Sequence, residues 1–205
     1  MEIKIDNNTY KISDDLHYNT TIAKTQIILS LSLRKSNYHI IRQQHKDYGK
    51  AKNWNTFTIS REGKIYQHYD PKYHTDFMGI KEIDKKSISI VLENMGILFN
   101  ENGNFVNWLN ESCDPKRVIE QNWLSYHYWE KIDLPQINST VHLCKQLSKE
   151  FGIPSDIIEF HYYHKGMENY KGIAFKSNYI EDNRTYRHFY TILSLLKNSR
   201  NEKHT

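Results

Sequence analysis

The sequence predicts a single α/β domain with a central mixed β-sheet flanked by helices, an N-terminal hairpin and a C-terminal helix. Short apolar segments of strand length alternate with segments of helical spacing, and no internal repeat interrupts this order. The chain has 205 residues, of which 38% are hydrophobic and 25% are charged, so it can bury one core of ordinary size. This composition favours a folded globular domain over a disordered protein.

The N-terminal part of the chain is predicted to contain a hairpin, a buried strand and a helix. Apolar residues alternate on both sides of Asn7-Asn8 within residues 2–12, which is typical of a hairpin. The apolar run over residues 26–33 has the length and the β-branched start of a buried strand. Residues 38–48 carry apolar side chains at helical spacing, and Gly49 follows as a helix end.

The middle of the chain is predicted to be mainly β-structure. Residues 54–59 and 64–69 are predicted strands, joined by the turn Ser60-Arg61-Glu62-Gly63. Residues 87–93 alternate between two faces as a further strand would. We interpret residues 100–107 as a loop or a short hairpin around Gly103.

A well-delimited helix is predicted to begin after Asp133. Asp133 is the expected N-cap, Pro135 lies in the first turn, where its missing N–H is tolerated, and Gln136 completes a capping box. Gly152 followed by Pro154 is expected to end this helix. Residues 157–160 are then predicted to form a short strand, and residues 185–198 a closing helix.

Composition and patterning argue against several classes of protein. The net charge of +4 is spread along the chain, whereas nucleic-acid binding would need a concentrated basic surface. No apolar run approaches the ~20 residues of a membrane span, and the first residues lack the apolar stretch of a signal peptide. Cys113 and Cys144 lie far apart without CxxC spacing, which favours two structural thiols in a reducing compartment. We therefore expect a cytoplasmic protein that binds neither nucleic acid nor membrane.

Two segments are more specific than these patterns. Residues 57–67, and residues 87–94 with Gly96, resemble the core of the type 2 N-acetylmuramoyl-L-alanine amidases, which share their fold with peptidoglycan recognition proteins. The family patterns are F-x-I-x-x-x-G-x-I-Y-Q for a hairpin and S-I-G-I-E-L-x-N for a later strand. Residues 123–130 resemble the insertion found in a phage and Bacteroidetes-like branch of the family. The resemblance covers residues 25–180, so residues 1–24 are interpreted as an N-terminal hairpin extension and residues 181–205 as a C-terminal helix and tail.

The resemblance also implies a zinc site, from which this chain departs. In the family, two His and one Cys or Asp hold a zinc ion, and its bound water attacks the amide between muramic acid and L-alanine. The first ligand position falls on Ser30, and the position of a loop His falls on Phe77. The acidic residue that would assist the water falls on Val91. The second zinc His is retained as His161, and the third ligand position falls on Tyr170 or Lys171.

These departures predict a pseudoenzyme that needs no cofactor. Val91 cannot accept a proton, Phe77 cannot donate to an oxyanion, and His161 alone cannot hold zinc. We expect the former active-site groove to bind a peptidoglycan fragment or a protein partner. The groove is predicted to be lined by Tyr66, His74, Phe77, Val91, Glu93 and His161.

Two other functions stay open at this point. One is a zinc-dependent N-acetylmuramoyl-L-alanine amidase whose metal site is rebuilt from His161, His164 and His74. The other is a phage structural or interaction protein, located in a virion or in the host lysis compartment.

Several side chains allow both a functional and a structural interpretation. Glu93 lies two residues beyond Val91 on the same strand face and could replace the missing carboxylate, but a solvated or salt-bridged Glu is favoured. Four aromatic residues could stack on glycans, although packing of the insertion onto the core is favoured; they are Trp123, Tyr126, Tyr128 and Trp129. His45 is expected to pack within its helix.

Overall fold

The computed structural model describes residues 4–35, 51–123, 125–158 and 162–181. The described strands are β1 (Ile5–Asp6), β2 (Gln26–Leu31), β3 (Phe57–Ile59), β4 (Ile65–Gln67), β5 (Ser87–Leu92), β6 (Ile97–Glu101), β7 (Asn104–Val106), β8 (Val118–Trp123), β9 (Tyr126–Glu130) and β10 (Gly172–Phe175). The described α-helices are α1 (Lys81–Lys86) and α2 (Leu134–Phe151). Short 3-10 turns lie at Asp14–Leu16, Pro115–Arg117, Met167–Asn169 and Lys176–Asn178.

The main sheet has six strands in the order β1-β4-β3-β5-β2-β10. β3 and β4 are antiparallel, whereas the other neighbouring strands are parallel, so the sheet is mixed as predicted. Every residue of β5 is buried, and so are all residues of β2 except Ser30. Central strands of a parallel sheet are covered on both faces, which explains why these two segments are so apolar.

One face of the main sheet packs against α2. Ile27 and Leu29 of β2 share a single buried cluster with Ile88 and Ile90 of β5. The predicted apolar stripe of α2 joins this cluster through Ile137, Val141, Cys144 and Leu147. Each fully buried aliphatic side chain contributes about 1.5–3 kcal/mol, so the packing of α2 on the sheet is a major source of stability.

The predicted N-terminal hairpin is wrong. β1 pairs in parallel with β4, at Ile65 and Tyr66, instead of pairing with residues 10–12. The N–H of Ile12 donates to the carbonyl of His68. Ile5 packs at the edge of the main core, whereas Ile12 packs with Trp54 and Tyr69, so the two segments are buried in different places.

A second sheet has the order β7-β6-β9-β8 and was not predicted from the sequence as a sheet. Its β6–β7 hairpin confirms the interpretation of residues 100–107, and the turn places Asn102 and Gly103 at φ of 53° and 89°. β8 and β9 pair with a register shift between Glu120 and Trp123. That irregularity breaks the period-two alternation by which a strand is recognised in a sequence.

The boundaries of α2 agree with the prediction, but its capping does not. Gly152 ends the helix with φ of 66°, as expected. The Asp133 side chain makes no capping hydrogen bond and pairs instead with Arg117, with Oδ2 2.6 Å from Nη1. Gln136 is fully buried, and its Nε2 donates to the carbonyls of Ile59 at 2.9 Å and Glu93 at 3.1 Å. The Gln136 amide is used in these contacts with the strand ends, so it does not close a capping box.

Some predictions lie wholly or partly outside the described residues. They are the helix over residues 38–48, the end of the strand over residues 157–160, the helix over residues 185–198, and the C-terminal segment over residues 181–205, of which only residue 181 is described. Within the described part, Ile157 forms a parallel bridge with Ile173. None of the described helices has both the length and the apolar character needed to cross a membrane.

Candidate active-site groove

The site begins with a row of residues that crosses four strands of the main sheet. Ser30 on β2 is the register partner of Val91 on β5, and Val91 is in turn the partner of Thr58 on β3. Thr58 is the partner of Tyr66 on β4. Directly opposed residues on neighbouring strands share a sheet face, so these four side chains lie on one face. The sheet thus places together three of the sequence-predicted site residues, Ser30, Tyr66 and Val91.

The chemistry of this row is limited. Val91 is 2% exposed and carries no polar atom. The hydroxyl of Ser30 makes a long hydrogen bond of 3.4 Å to the carbonyl of Leu31. No carboxylate or imidazole occupies either position, so neither side chain can serve as a general base.

Thr58 and His68 form a pair that sequence analysis did not identify. Thr58 Oγ1 lies 2.8 Å from His68 Nε2, and His68 Nδ1 lies 2.9 Å from the carbonyl oxygen of Tyr10. A carbonyl can only accept, so Nδ1 carries the proton and Nε2 accepts from the Thr58 hydroxyl. This arrangement resembles an activated nucleophile, but both side chains are fully buried and out of reach of a substrate. The pair therefore has a structural role.

Phe77 and Lys176 meet at the β10 side of the row. Phe175 pairs with Leu29, and the turn formed by Lys176 and the next two residues contacts β2. Lys176 Nζ lies 4.6 Å from the centre of the Phe77 ring. A cation over an aromatic face is attracted by the ring quadrupole, so this contact helps fix Phe77 beside the strand ends. Lys176 is a groove residue that sequence analysis missed, because only the strand register places it near Ser30.

Tyr170 and Lys171 are not brought to Ser30. They directly precede Gly172, which pairs with Gln26 at the start of β2, four residues before Ser30. At ~3.3 Å per residue along a strand, Gln26 is ~13 Å from Ser30. The Tyr170 hydroxyl instead donates to the carbonyls of Asp156 at 3.1 Å and Ile173 at 3.3 Å. The structure therefore does not bring Tyr170 or Lys171 to Ser30, the residue at the predicted first-ligand position.

Glu93 lies just beyond β5 and is buried, with 3% of its surface exposed, so a solvated Glu93 is excluded. Its N–H donates to the carbonyl of Ile59, which continues the ladder between β5 and β3. Burial alone would lower the pKa of the Arg61 guanidinium. The hydrogen bonds and negative charge of Glu130, together with the charge of Glu93, outweigh burial and raise the Arg61 pKa above its ordinary value. Glu93 thus contributes a buried carboxylate whose charge favours the charged form of Arg61.

Glu130 is the centre of a network of charged side chains. Its carboxylate accepts from Arg61 Nε and Nη2, each at 2.8 Å, and from Arg117 Nε at 3.0 Å. The backbone N–H of Met95 donates to the same carboxylate. Arg117 also pairs with Asp133 at the start of α2. The network joins the β3–β4 turn, the second sheet and α2 at one edge of the groove.

The segment that follows β2 is held by the loop after β7. The carbonyl of Leu33 accepts from Trp108 Nε1 at 3.0 Å and from Asn107 Nδ2 at 3.3 Å. The N–H of Lys35 donates to Glu111 Oε2 at 3.1 Å. Trp108 remains 54% exposed, which leaves an aromatic surface beside the end of β2.

A comparison with protein families identifies the family to which this chain belongs. The family model Amidase_2, described as N-acetylmuramoyl-L-alanine amidase, matches residues 10–178. The chain belongs to this amidase family. No curated protein sequence matches the chain.

Solved structures agree with the family. The N-acetylmuramoyl-L-alanine amidase LysC from Clostridium intestinale URNW is 13% identical with a TM-score of 0.56, over 96% of this chain and 99% of that chain. The endolysin amidase LysCS from the same organism is 14% identical with a TM-score of 0.58, over 96% and 97%. The catalytic domain of XlyA is 12% identical with a TM-score of 0.53, over 95% and 97%. These matches confirm the predicted amidase-like fold.

The described residues to which the family resemblance assigns the ligand positions do not carry the usual zinc-binding groups. Ser30, Tyr170 and Lys171 offer hydroxyl groups and an amine, whereas zinc in proteins is held by thiolate, imidazole or carboxylate. Across the described ranges, no group of three His, Cys, Asp or Glu side chains is arranged to hold a metal ion. His161 lies outside the described residues.

The two other histidines of the alternative metal site have different surroundings. His74 is 8% exposed and stacks on Tyr18 with ring centres 4.9 Å apart. Burial, with a smaller contribution from the charge of Lys24, lowers the His74 pKa below its ordinary value. His164 is exposed, and its backbone N–H donates to the backbone carbonyl of Asn178 at 3.2 Å.

The aromatic side chains of the second sheet pack as the structural interpretation predicts. Trp129 is fully buried, and its Nε1 donates to the carbonyl of Gln121. Trp123 and Tyr126 pack against the main core, and Tyr128 packs against a smaller cluster with Met95, Leu98 and Cys113.

Proposed function

We propose that this member of the amidase family is a pseudoenzyme that binds a peptidoglycan fragment through the groove beside Ser30 and Val91. The observation that carries the proposal is the row Ser30-Val91-Thr58, in which the family's first ligand and its acidic residue are replaced by a hydroxyl and an isopropyl group. Amide hydrolysis by a zinc-bound water needs both the metal and a group that accepts a proton. Neither need is met by the side chains of this row.

A peptidoglycan ligand is supported by the family and by what the groove retains. The family model matches residues 10–178, and the strand register places Ser30 beside Val91 and Val91 beside Thr58. Phe77 and Lys176 add an aromatic ring and an ammonium group beside the strand ends. Such groups suit a ligand that combines sugar rings with carboxylates, as peptidoglycan fragments do.

A protein ligand is the second candidate. Val91 and Phe77 make the groove more apolar than a catalytic zinc site, and Trp108 is 54% exposed beside it. Exposed aromatic residues are enriched at protein interfaces. A phage structural or interaction protein, in the cytoplasm or in a virion, would use the groove in this way.

A binding titration tests the proposal. The purified full-length protein is titrated with a soluble muropeptide and with its glycan and peptide parts separately, and heat release and backbone NMR shifts are recorded. We expect saturable binding that is weakened by Phe77→Ala, because Phe77 lies at the groove. Phe99→Ala serves as the matched control, since Phe99 is an exposed aromatic residue of the second sheet. Absence of binding to every muropeptide would overturn the peptidoglycan proposal and favour the protein ligand.

A further inference from the structure

The side of the groove at Phe77 is formed by a loop that leads from β4 towards α1. We call residues 73–80 the Phe77 loop, and Phe77 in its middle contacts Lys176. Apart from one bridge between His74 and Tyr18, none of its residues belongs to a described strand or helix. A segment without a strand ladder or helical hydrogen bonds keeps its position through individual contacts with its surroundings. The contacts that hold this loop therefore decide where Phe77 lies.

Lys24 ties the two ends of the Phe77 loop together. Lys24 is only 5% exposed, and its Nζ donates to the carbonyl of Tyr73 at 2.7 Å and to that of Lys85 at 3.0 Å. Tyr73 begins the loop, whereas Lys85 lies in α1 just after it. Burial lowers the pKa of Lys24 to about 8, so the ammonium form still predominates at pH 7. A buried ammonium group needs acceptors, which keeps both carbonyls close to one nitrogen atom.

Asp84 holds the middle of the Phe77 loop from α1. Asp84 is only 3% exposed, and its Oδ1 accepts from the backbone N–H of Met78 at 2.7 Å. Met78 directly follows Phe77, and the Met78 side chain is buried in the main core. A carboxylate is a stronger acceptor than a neutral group. The peptide next to Phe77 is thus held by a side chain in the core and by an N–H on Asp84.

The part of the loop before Phe77 has other attachments. The Thr75 hydroxyl donates to the carbonyl of Trp54, and the Asp76 N–H donates to the carbonyl of Lys52. These contacts fix residues 75 and 76 to the segment before β3. After Phe77, the hydrogen bond from Met78 to Asp84 links the loop to α1.

We propose that Lys24 and Asp84 are positioning residues of the groove, which hold the Phe77 loop in its binding position before a ligand arrives. A preformed wall favours binding, because the cost of ordering a loop is not added to the cost of association. The expected effect on ligand affinity rests on the proposed function. The position of the loop does not, because the contacts of Lys24 and Asp84 are present without a ligand.

Amide hydrogen exchange of the full-length protein without ligand, followed by NMR, tests the position of the loop. Lys24→Met removes the donor, and Asp84→Leu removes the acceptor. In both variants we expect exchange of the Met78 amide to accelerate at least tenfold more than that of the Ile28 and Ile90 amides in the central strands. This comparison separates local opening of the loop from a loss of global stability.

Two control variants make the same chemical changes outside the loop. Glu82 and Lys85 form an ion pair of 2.9 Å on the surface of α1. Glu82→Leu and Lys85→Met are expected to change the relative exchange of the Met78 amide less than about twofold. Asp84→Asn is the conservative variant, because its amide oxygen can still accept from Met78, and it is expected to keep the slow exchange of the wild type.

Titration of the same variants with a soluble muropeptide measures the effect on the groove. We expect Lys24→Met and Asp84→Leu to weaken binding about fivefold or more, and Asp84→Asn to stay within about twofold of the wild type. A purely structural role would make affinity follow stability. Asp84→Asn separates the two, because it removes a buried charge and keeps the acceptor.

The outcomes distinguish this inference from the proposed function. Unchanged relative exchange of the Met78 amide in Lys24→Met and Asp84→Leu would overturn the inference, and so would equal effects in the two control variants. If the muropeptide binds the wild type and all variants equally, the inference fails and the proposed function stands. If the muropeptide does not bind the wild type, the proposed function fails, and exchange of the Met78 amide alone decides whether Lys24 and Asp84 position the loop.

Discussion

Replacement of Glu130 by Gln is expected to destabilise the protein by about 3–5 kcal/mol, the range for breaking a buried ion pair. Glu130 is 1% exposed and accepts two hydrogen bonds of 2.8 Å from Arg61 and one of 3.0 Å from Arg117. Gln keeps the shape but has one acceptor oxygen and no charge. Arg61 is 8% exposed and would keep a buried positive charge that no longer has its main partner.

Urea denaturation, followed by tryptophan fluorescence, measures this effect. With a slope of ~2 kcal/mol per M of urea, the midpoint should fall by about 1.5–2.5 M. Glu120→Gln is the matched control, because Glu120 is exposed on the neighbouring strand β8 and should change stability by less than ~0.5 kcal/mol. The double variant Arg61→Met with Glu130→Leu should be more stable than Glu130→Gln, because it removes both charges.

A loss of less than about 1 kcal/mol in Glu130→Gln would refute this reasoning. It would mean that water solvates the Arg61 guanidinium in the folded protein. The network would then not be what holds the β3–β4 turn, the second sheet and α2 together.

Three further predictions concern other parts of the fold. Gly63→Ala should destabilise the protein by ~2 kcal/mol or more, since Gly63 has φ of 80° and an added Cβ would lie 2.6 Å from the carbonyl oxygen of Pro135. Gly103→Ala is the control, because Gly103 has a similar φ of 89° but open space around it, and it should cost only ~1 kcal/mol. Thermal melts of both variants measure the difference. His68→Leu should cost ~2 kcal/mol in urea denaturation, because it leaves the buried Thr58 hydroxyl without its acceptor, and a loss below ~0.5 kcal/mol would contradict the hydrogen-bonding pattern. Burial raises the pKa of Asp84 to about 6, above its ordinary value of 3.8, so the stability that Asp84 contributes is present below pH 3.8 and is lost as the pH rises through 6. Asp84→Asn should therefore gain stability relative to the wild type between pH 4.5 and pH 7.5 in urea titrations, and a difference that does not change with pH would contradict the assignment.

The main sheet could be predicted from the sequence because its strands bury both faces. Residues 27–29 and 90–92 are uninterrupted apolar runs, and the turn at Gly63 needs a positive φ that Gly adopts without cost. The family resemblance depended on the same segments. The match over residues 10–178 confirmed the family, although it begins before residue 25.

The second sheet and the N-terminal pairing could not be predicted, for two physical reasons. β8 carries polar residues and a register shift, so its sequence has no steady alternation. β1 has only two residues, and its partner is β4, about 60 positions away, whereas a sequence pattern suggests only a local partner. The pairing of β1 with β4 depends on which strand edge the rest of the sheet leaves open, and a local sequence pattern does not contain that information.

The candidate site was predicted only in part. The positions of Ser30 and Val91 on adjacent strands follow from the family pattern, and the register agrees with it. Lys176 was missed, and the family pattern gave no position for Tyr170 and Lys171 relative to β2, because residues after His161 have no strong spacing that fixes the register of β10. Glu93 looked like a surface carboxylate in the sequence, although Gln136 and the strand end bury it.

The most direct test of the central claim is an amidase assay with zinc supplied. Purified full-length protein is incubated with purified peptidoglycan and excess zinc, and new L-alanine amino groups are counted against an active amidase of the same family. We expect no release above the buffer control, because the row Ser30-Val91-Thr58 offers neither a zinc ligand set nor a proton acceptor. Zinc-dependent release of L-alanine amino groups would contradict it and would favour a metal site rebuilt around His161, His164 and His74.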